Sequence, residues 1–276
     1  MGLVEMSKDM VEMSVDINNT DRIMLIGPPK AGKTVAAATY SAQCPDVLPA
    51  KELTNLEDTL IWQFDEEGSK SLTYLNLNAP VIDFTKCKTF QDLQKKLKEA
   101  MKYTAEAVAS GKVNVVIIDT LTSYDHALVG HYGGVYPEKK DSMALYNNVK
   151  LKHQVLQKFM RSLDCSYILI AHTKTVHAAV ESTEAATRAK AQNLATGGDI
   201  VAAITGGGAT LWKAAVSYIW PVLAKKVKGQ QLMEHYVLPR GGQGFEGGGR
   251  FPFLADKEPA HLGLLFKKIN SYGETK

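Results

Sequence analysis

The chain has 276 residues and a hydrophobic fraction of 45%, enough for one large domain or two small ones with a full core. Its formal net charge of +3 neither demands nor excludes nucleic acid, so any basic footprint must be local. Cys44, Cys87 and Cys165 lack metal-ligand spacing and suit a reducing compartment, no run is apolar enough to span a bilayer, and Glu5, Asp9, Glu12 and Asp16 argue against a targeting peptide. The expectation is a soluble cytoplasmic protein.

Residues 1–21 are methionine-rich and of mixed charge, and read as an N-terminal arm or an extra strand. From residue 22 strand-like and helix-like segments alternate. Residues 22–26 predict a buried strand and 35–43 a helix; 60–64 and 81–84 are apolar runs that predict strands. In 89–109, Phe90, Leu93, Leu97 and Met101 fall at helical spacing behind Thr89, an N-cap residue. Residues 113–118 are almost all β-branched, as in a strand buried on both faces, 146–163 predict an amphipathic helix, and 167–171 the next strand. This order implies an α/β fold with a mostly parallel sheet and helices on both faces. Two stretches break the rhythm and read as long loops, functional or disordered: 125–145, with Gly130, Gly133, Gly134 and Pro137, and the small, polar 174–209. Beyond them, a helix from 210 to about 220 is expected to stop at Pro221. A strand near 231–238, a glycine-rich turn at 241–249 and a return strand at 251–254 would make a C-terminal β-hairpin.

The most specific feature is Gly27-Pro28-Pro29-Lys30-Ala31-Gly32-Lys33-Thr34, which fits the phosphate-binding G-x-x-x-x-G-K-[ST] between a strand and a helix that Val35 continues. Its backbone N–H groups would form an anion cradle, Lys33 would reach the β- and γ-phosphates, and the Thr34 hydroxyl would hold Mg²⁺. Asp119, ending the 113–118 strand, reads as the second metal-site residue, or else as a helix cap. Asp65-Glu66-Glu67-Gly68 follows a strand whose carboxyl end should face the crevice. Glu67, with Glu66 next, is the choice to orient an attacking water; the alternative is a set of acids opening a solvated helix. His172 ends the following strand, as a γ-phosphate sensor or a satisfied structural histidine.

The ordered set GPPKAGKT, FDEEG, VVIIDTLTSY, ILIAHTK resembles the RecA-like P-loop ATPases, and within them the compact bacteriophage ATPases of single-strand annealing and recombination. The resemblance covers roughly 22–255; Pro28-Pro29-Lys30 and the long segment after His172 depart from the common pattern. It implies ATP and Mg²⁺ as cofactors, hydrolysis to ADP and phosphate, and a RecA-like ATPase domain over 22–276. It also implies a homo-oligomer acting on single-stranded DNA, with a single-strand-binding protein as a further partner and host cytoplasm as the site if the chain is viral. Two loops would then hold the DNA: Tyr132, Tyr136, Lys139 and Lys140 in the first, Lys174, Arg188 and Lys190 in the second. Arg240, then Arg250, would complete a neighbour's site in trans, with Lys225, Lys226 and Lys228 nearby. The rivals are another P-loop motor, such as a helicase or packaging ATPase, and a small-molecule phosphotransferase, whose arginine-rich lid is not evident. A regulatory GTPase would need N-K-x-D, which the residues after the 167–171 strand do not supply, so adenine is preferred by exclusion.

Overall fold

The computed structural model describes residues 20–135, 142–176, 199–205, 207–227, 233–240, 251 and 253–274. The described strands are β1 (Arg22–Gly27), β2 (Thr54–Asn55), β3 (Thr59–Gln63), β4 (Leu77–Asn78), β5 (Val81–Asp83), β6 (Val115–Asp119), β7 (Ser166–Val176), β8 (Asp199–Ala202), β9 (Tyr218–Lys226), β10 (Met233–Val237) and β11 (Glu258–Pro259). The helices are α1 (Lys33–Ala38), α2 (Gly68–Thr73), α3 (Phe90–Ala109), α4 (Leu121–Val135), α5 (Ser142–Ser162), α6 (Gly208–Lys213) and α7 (Leu262–Glu274).

The main sheet runs β11-β10-β9-β1-β7-β6-β3-β5, with β8 attached to the far end of β7; β2 and β4 form a separate parallel pair. Every pairing from β9 through β1, β7, β6 and β3 to β5 is parallel. The β9–β10 pair is antiparallel and forms the C-terminal hairpin. Alternate strand residues feed opposite faces, as the pleat requires. Met24, Ile26, Trp62, Val116 and Leu169 face one core with α3, α4 and α5, while Ile23, Leu25, Ile117, Ile168 and Trp220 face a second with α1 and α7. The expected mostly parallel α/β fold with helices on both faces is therefore present.

Several local expectations are corrected. The first long loop is not a loop before residue 136: α4 runs through Gly130, Gly133 and Gly134 to Val135. Leu121, Tyr124 and Leu128 bury at helical spacing and offset the intrinsic cost of three helical glycines. The second shortens at both ends, because β7 continues to Val176 and pairs antiparallel with β8, and α6 begins at Gly208. No helix reaches Trp220: α6 ends at Lys213, and the Ser217 N–H bonds the Arg22 carbonyl at 2.7 Å, leading the chain into β9 alongside β1. Pro221 therefore lies inside a strand. Its carbonyl accepts from Leu238 N at 2.9 Å, just past the end of β10, so the N–H it lacks falls where the ladder has stopped. Residues 253–254 form no return strand; β11 pairs with β10 instead. Helix α1 stops at Ala38 rather than 43, because Thr39 Oγ1 turns back to the Ala36 carbonyl at 2.6 Å while its own carbonyl accepts from Gly263 N of α7 at 3.0 Å. The N-cap at Thr89 is realised as a full capping box with Asp92. No helix among the described residues is long and apolar enough to cross a membrane.

A buried polar cluster ties the later elements to α4. Trp212 Nε1 donates to His153 Nδ1 at 3.0 Å, and an indole can only donate, so Nε2 carries the proton that His153 gives to Asp125 Oδ1 at 2.8 Å. Asp125 also accepts from the Thr205 amide at 3.0 Å and from its hydroxyl. Burial acts to raise the Asp125 pKa, but the His153 and Thr205 hydrogen bonds outweigh it and hold the carboxyl below its ordinary 3.8. A depressed carboxylate stabilises the fold above its unfolded pKa and loses that contribution as pH falls through the folded value. Asp125→Ala, which strands several buried donors, should destabilise by on the order of 3 kcal/mol in urea unfolding. The advantage of wild type over Asp125→Asn should shrink as the pH is lowered below the ordinary 3.8.

Candidate nucleotide site

The parallel register sets the site. Gly27 at the end of β1 lies beside His172 on β7, and Asp119 at the end of β6 lies beside Gln63 on β3. Because β7 separates β1 from β6, His172 projects between the glycine loop and the acidic strand end. The carboxyl ends of these strands open onto a cleft of about 1010 Å³ that includes residues 29–35, Asp119 and His172.

The loop has little freedom. A Cβ at Gly27 would overlap the Val222 carbonyl of β9, and Gly32 adopts a left-handed φ of 88° that favours glycine. Pro28, Pro29 and Lys30 are exposed at the loop's outer turn, whereas Ala31 is buried. Lys33 is only 5% exposed, and its Nζ donates to the carbonyls of Gly27 at 3.0 Å and Pro28 at 2.7 Å. Burial lowers its pKa to about 8, opposed by the charges of Asp119 and Asp65. Thr34 Oγ1 donates to Asp119 Oδ2 at 2.7 Å. Asp119 is 2% exposed, and burial raises its pKa to about 6 despite the Thr34 hydrogen bond. A hydroxyl and a carboxylate in contact at the cleft are the hard oxygen donors that magnesium takes, with substrate phosphates completing its shell. Gly68 leaves room for them: a Cβ there would overlap Asp119 Oδ2 and lie 3.4 Å from Thr34 Oγ1.

His172 bridges two sides. Its Nδ1 is 3.4 Å from Lys33 Nζ, and its Nε2 is 3.8 Å from Asp65 Oδ2. Burial and the Lys33 charge lower its pKa, which Asp65 opposes. Its backbone N–H bonds Thr122 Oγ1 at 2.9 Å, and its carbonyl accepts from Ala203 N at 2.7 Å. Glu66 and Glu67 line the cleft and are exposed. Asp65 lies deeper, facing His172 and accepting from the Glu67 amide at 3.1 Å. Asp65 was missed as a site residue. The signal available was its place as the first acid after the strand, nearest the sheet edge.

The remaining expected residues are scattered. Tyr132 is on α4, edge-on to Phe90 at 5.6 Å and packed against the core, so it is not a loop tyrosine. Lys174 is on β7, exposed, and donates to the Ile204 carbonyl at 3.3 Å. Arg240 follows β10, outside the cleft, with Nη1 3.4 Å from Asp256 Oδ1. Tyr136, Lys139, Lys140, Arg188, Lys190, Lys228 and Arg250 lie outside the described residues. His235 of β10 also went unforeseen: its Nδ1 donates to the Ala31 carbonyl at 2.9 Å. Only the hairpin brings it to the loop.

The clearance at Gly68 yields a test. Gly68→Ala should fold, because the clash falls on a side-chain oxygen, yet push the Asp119 carboxylate off Thr34. Magnesium-dependent nucleotide binding, measured by titration calorimetry, should weaken, while binding without the metal should change much less.

The sequence matches the AAA domain family profile over residues 19–205, about two thirds of the chain. No curated protein matches it. Among solved structures, it is similar to a KaiC-like protein from the hyperthermophilic archaeon Pyrococcus horikoshii OT3, with 13% identity and a TM-score of 0.42 over 87% of this chain and 84% of that one. With its glycine loop, its Thr34–Asp119 pair and a match across most of the parallel sheet, the chain belongs to the AAA domain family.

Proposed function

We propose that this chain binds ATP with Mg²⁺ and hydrolyses it to ADP and phosphate. The observation that carries the reading is the 2.7 Å contact between the Thr34 hydroxyl and the Asp119 carboxylate beside the buried Lys33 ammonium. Lys33 binds the β- and γ-phosphates, because a desolvated cation gains most from a desolvated anion. With its pKa near 8, it is still mainly charged at neutral pH. Thr34 and Asp119 hold Mg²⁺, which when bound neutralises charge on the phosphates. Glu67, on the cleft rim, orients the attacking water, and His172 responds to the γ-phosphate.

The partner we assign is single-stranded DNA, in recombination or annealing by a homo-oligomer whose neighbour supplies Arg240 or Arg250. What supports this is the course of β7. It runs unbroken from His172 to Lys174 and on into its pairing with β8, so an event at the phosphates has a stiff path to the segment that carries Arg188 and Lys190. ATP bound at the phosphate loop would then alter DNA affinity through β7.

Site-directed variants and a salt series test these statements. Lys33→Ala should abolish hydrolysis and weaken ATP binding without unfolding. Glu67→Gln should keep ATP and Mg²⁺ binding but slow turnover by roughly two orders of magnitude. If Asp65→Asn or Glu66→Gln shows that pattern and Glu67→Gln does not, the general base is the other carboxylate. In a salt series, single-strand affinity should rise with a non-hydrolysable ATP analogue and fall steeply with salt, as counterion release requires. No binding at low salt with nucleotide and Mg²⁺ present would leave an ATPase with a different partner.

A further inference from the structure

The contact of the C-terminal hairpin with the phosphate loop has no part in the reading above. His235, on β10, donates from Nδ1 to the Ala31 carbonyl at 2.9 Å; a carbonyl can only accept, so the proton lies on Nδ1. The ring also stands directly over the next residue, since a Cβ at Gly32 would lie 2.7 Å from His235 Nδ1. The histidine is itself firmly mounted. Its residue pairs with Ala224 across the β9–β10 ladder, and its carbonyl accepts from Ala260 N at 3.2 Å on the other side. It also lies beyond the residues matched by the family profile, which end at 205.

A peptide unit is planar and trans, so its C=O and N–H point in opposite directions. Holding the Ala31 oxygen toward His235, whose ring lines the rim of the same cleft, therefore turns the Gly32 N–H away from that ring. Nothing intrinsic to Gly32 keeps it so. Its φ of 88° is in the region where glycine moves most freely, and rotation of the Ala31–Gly32 peptide would turn a carbonyl oxygen on the phosphates in place of a donor. We propose that His235 is a positioning residue that locks the Ala31–Gly32 peptide with its N–H toward the nucleotide phosphates. The C-terminal hairpin thereby preorganises the phosphate loop, and ATP binding need not meet the cost of ordering that peptide.

This inference rests on the nucleotide reading for its consequence, but the lock itself can be read without nucleotide. The test uses the full chain as wild type, His235→Ala and His235→Asn; the asparagine amide nitrogen occupies nearly the place of Nδ1 and restores the donor. In nucleotide-free protein labelled with ¹³C at the alanine carbonyls, the Ala31 carbonyl resonance should move in His235→Ala and return toward the wild-type position in His235→Asn. With ATP and Mg²⁺, His235→Ala should raise KM and the calorimetric Kd by about tenfold, the worth of one lost hydrogen bond to a charged group, with a smaller change in kcat. His235→Asn should recover most of that affinity. An unmoved Ala31 carbonyl in His235→Ala, or equal loss of affinity in the Ala and Asn variants, would overturn the lock. A wild-type chain that binds no ATP would instead overturn the nucleotide reading, and the carbonyl signal would still decide whether the lock exists.

Discussion

Parallel alignment of β1, β7, β6 and β3 is the constraint on which the site depends. Strands running the same way in one sheet end at the same edge, and the register brings Gly27 and His172 level, with Asp119 and Gln63 level on the next two strands. The interposed strand matters most. Placing β7 between the loop strand and the acidic strand gives the cleft a third element, and through it a continuous backbone leads away toward β8. An antiparallel neighbour in that position would present the start of a strand instead, with no such lead.

Electrostatics in the cleft is shaped first by burial. Lys33 and Asp119 are almost wholly enclosed, and for each the largest cause of the pKa shift is loss of water, moving the lysine down to about 8 and the aspartate up to about 6. Both shifts run toward the neutral form, as desolvation requires. Mutual attraction, and the hydrogen bonds from Lys33 to the Gly27 and Pro28 carbonyls, partly offset the cost. A site that carries these charges at such a cost is suited to a ligand bearing both signs: an anionic phosphate chain for the lysine and a divalent cation for the aspartate. Asp65 and His172 extend the same balance toward the rim, where exposure and screening weaken it.

The C-terminal part of the chain buttresses the phosphate loop from three directions. The Val222 carbonyl of β9 closes on Gly27, His235 of β10 holds the Ala31 carbonyl, and the first turn of α7 binds Thr39 at the end of α1 through the Leu262 and Gly263 amides. Helix α1 has only six residues, too few for a large macrodipole, so the loop's geometry rests on its own backbone and these external supports. On the opposite face, the Asp125–His153–Trp212 cluster joins α4, α5 and α6 and fixes Thr205, two residues after the amide that bonds the His172 carbonyl.

The local features were legible from sequence because their physics is local. A glycine loop between a strand and a helix, a run of β-branched residues ending in Asp119, and the Thr89 cap each follow from spacing and backbone preference over a few residues. The errors fell where packing outweighs preference. Glycines at 130, 133 and 134 resemble a loop, yet burial of Tyr124 and Leu128 carries the helix past them. Pro221 looks like a helix stop, yet β1 recruits that segment as a strand and the short β10 spares the proline its missing donor. Which acid lies deepest in the cleft, and that His235 meets Ala31 from 204 positions away, are matters of register and of a hairpin folding back. By itself the sequence determined the phosphate loop, the strand that ends in Asp119 and the alternation of strands with helices, since each is written in contiguous residues. The supports that orient them were decided only by the tertiary structure, because a hydrogen bond between distant segments leaves no periodic trace in the chain.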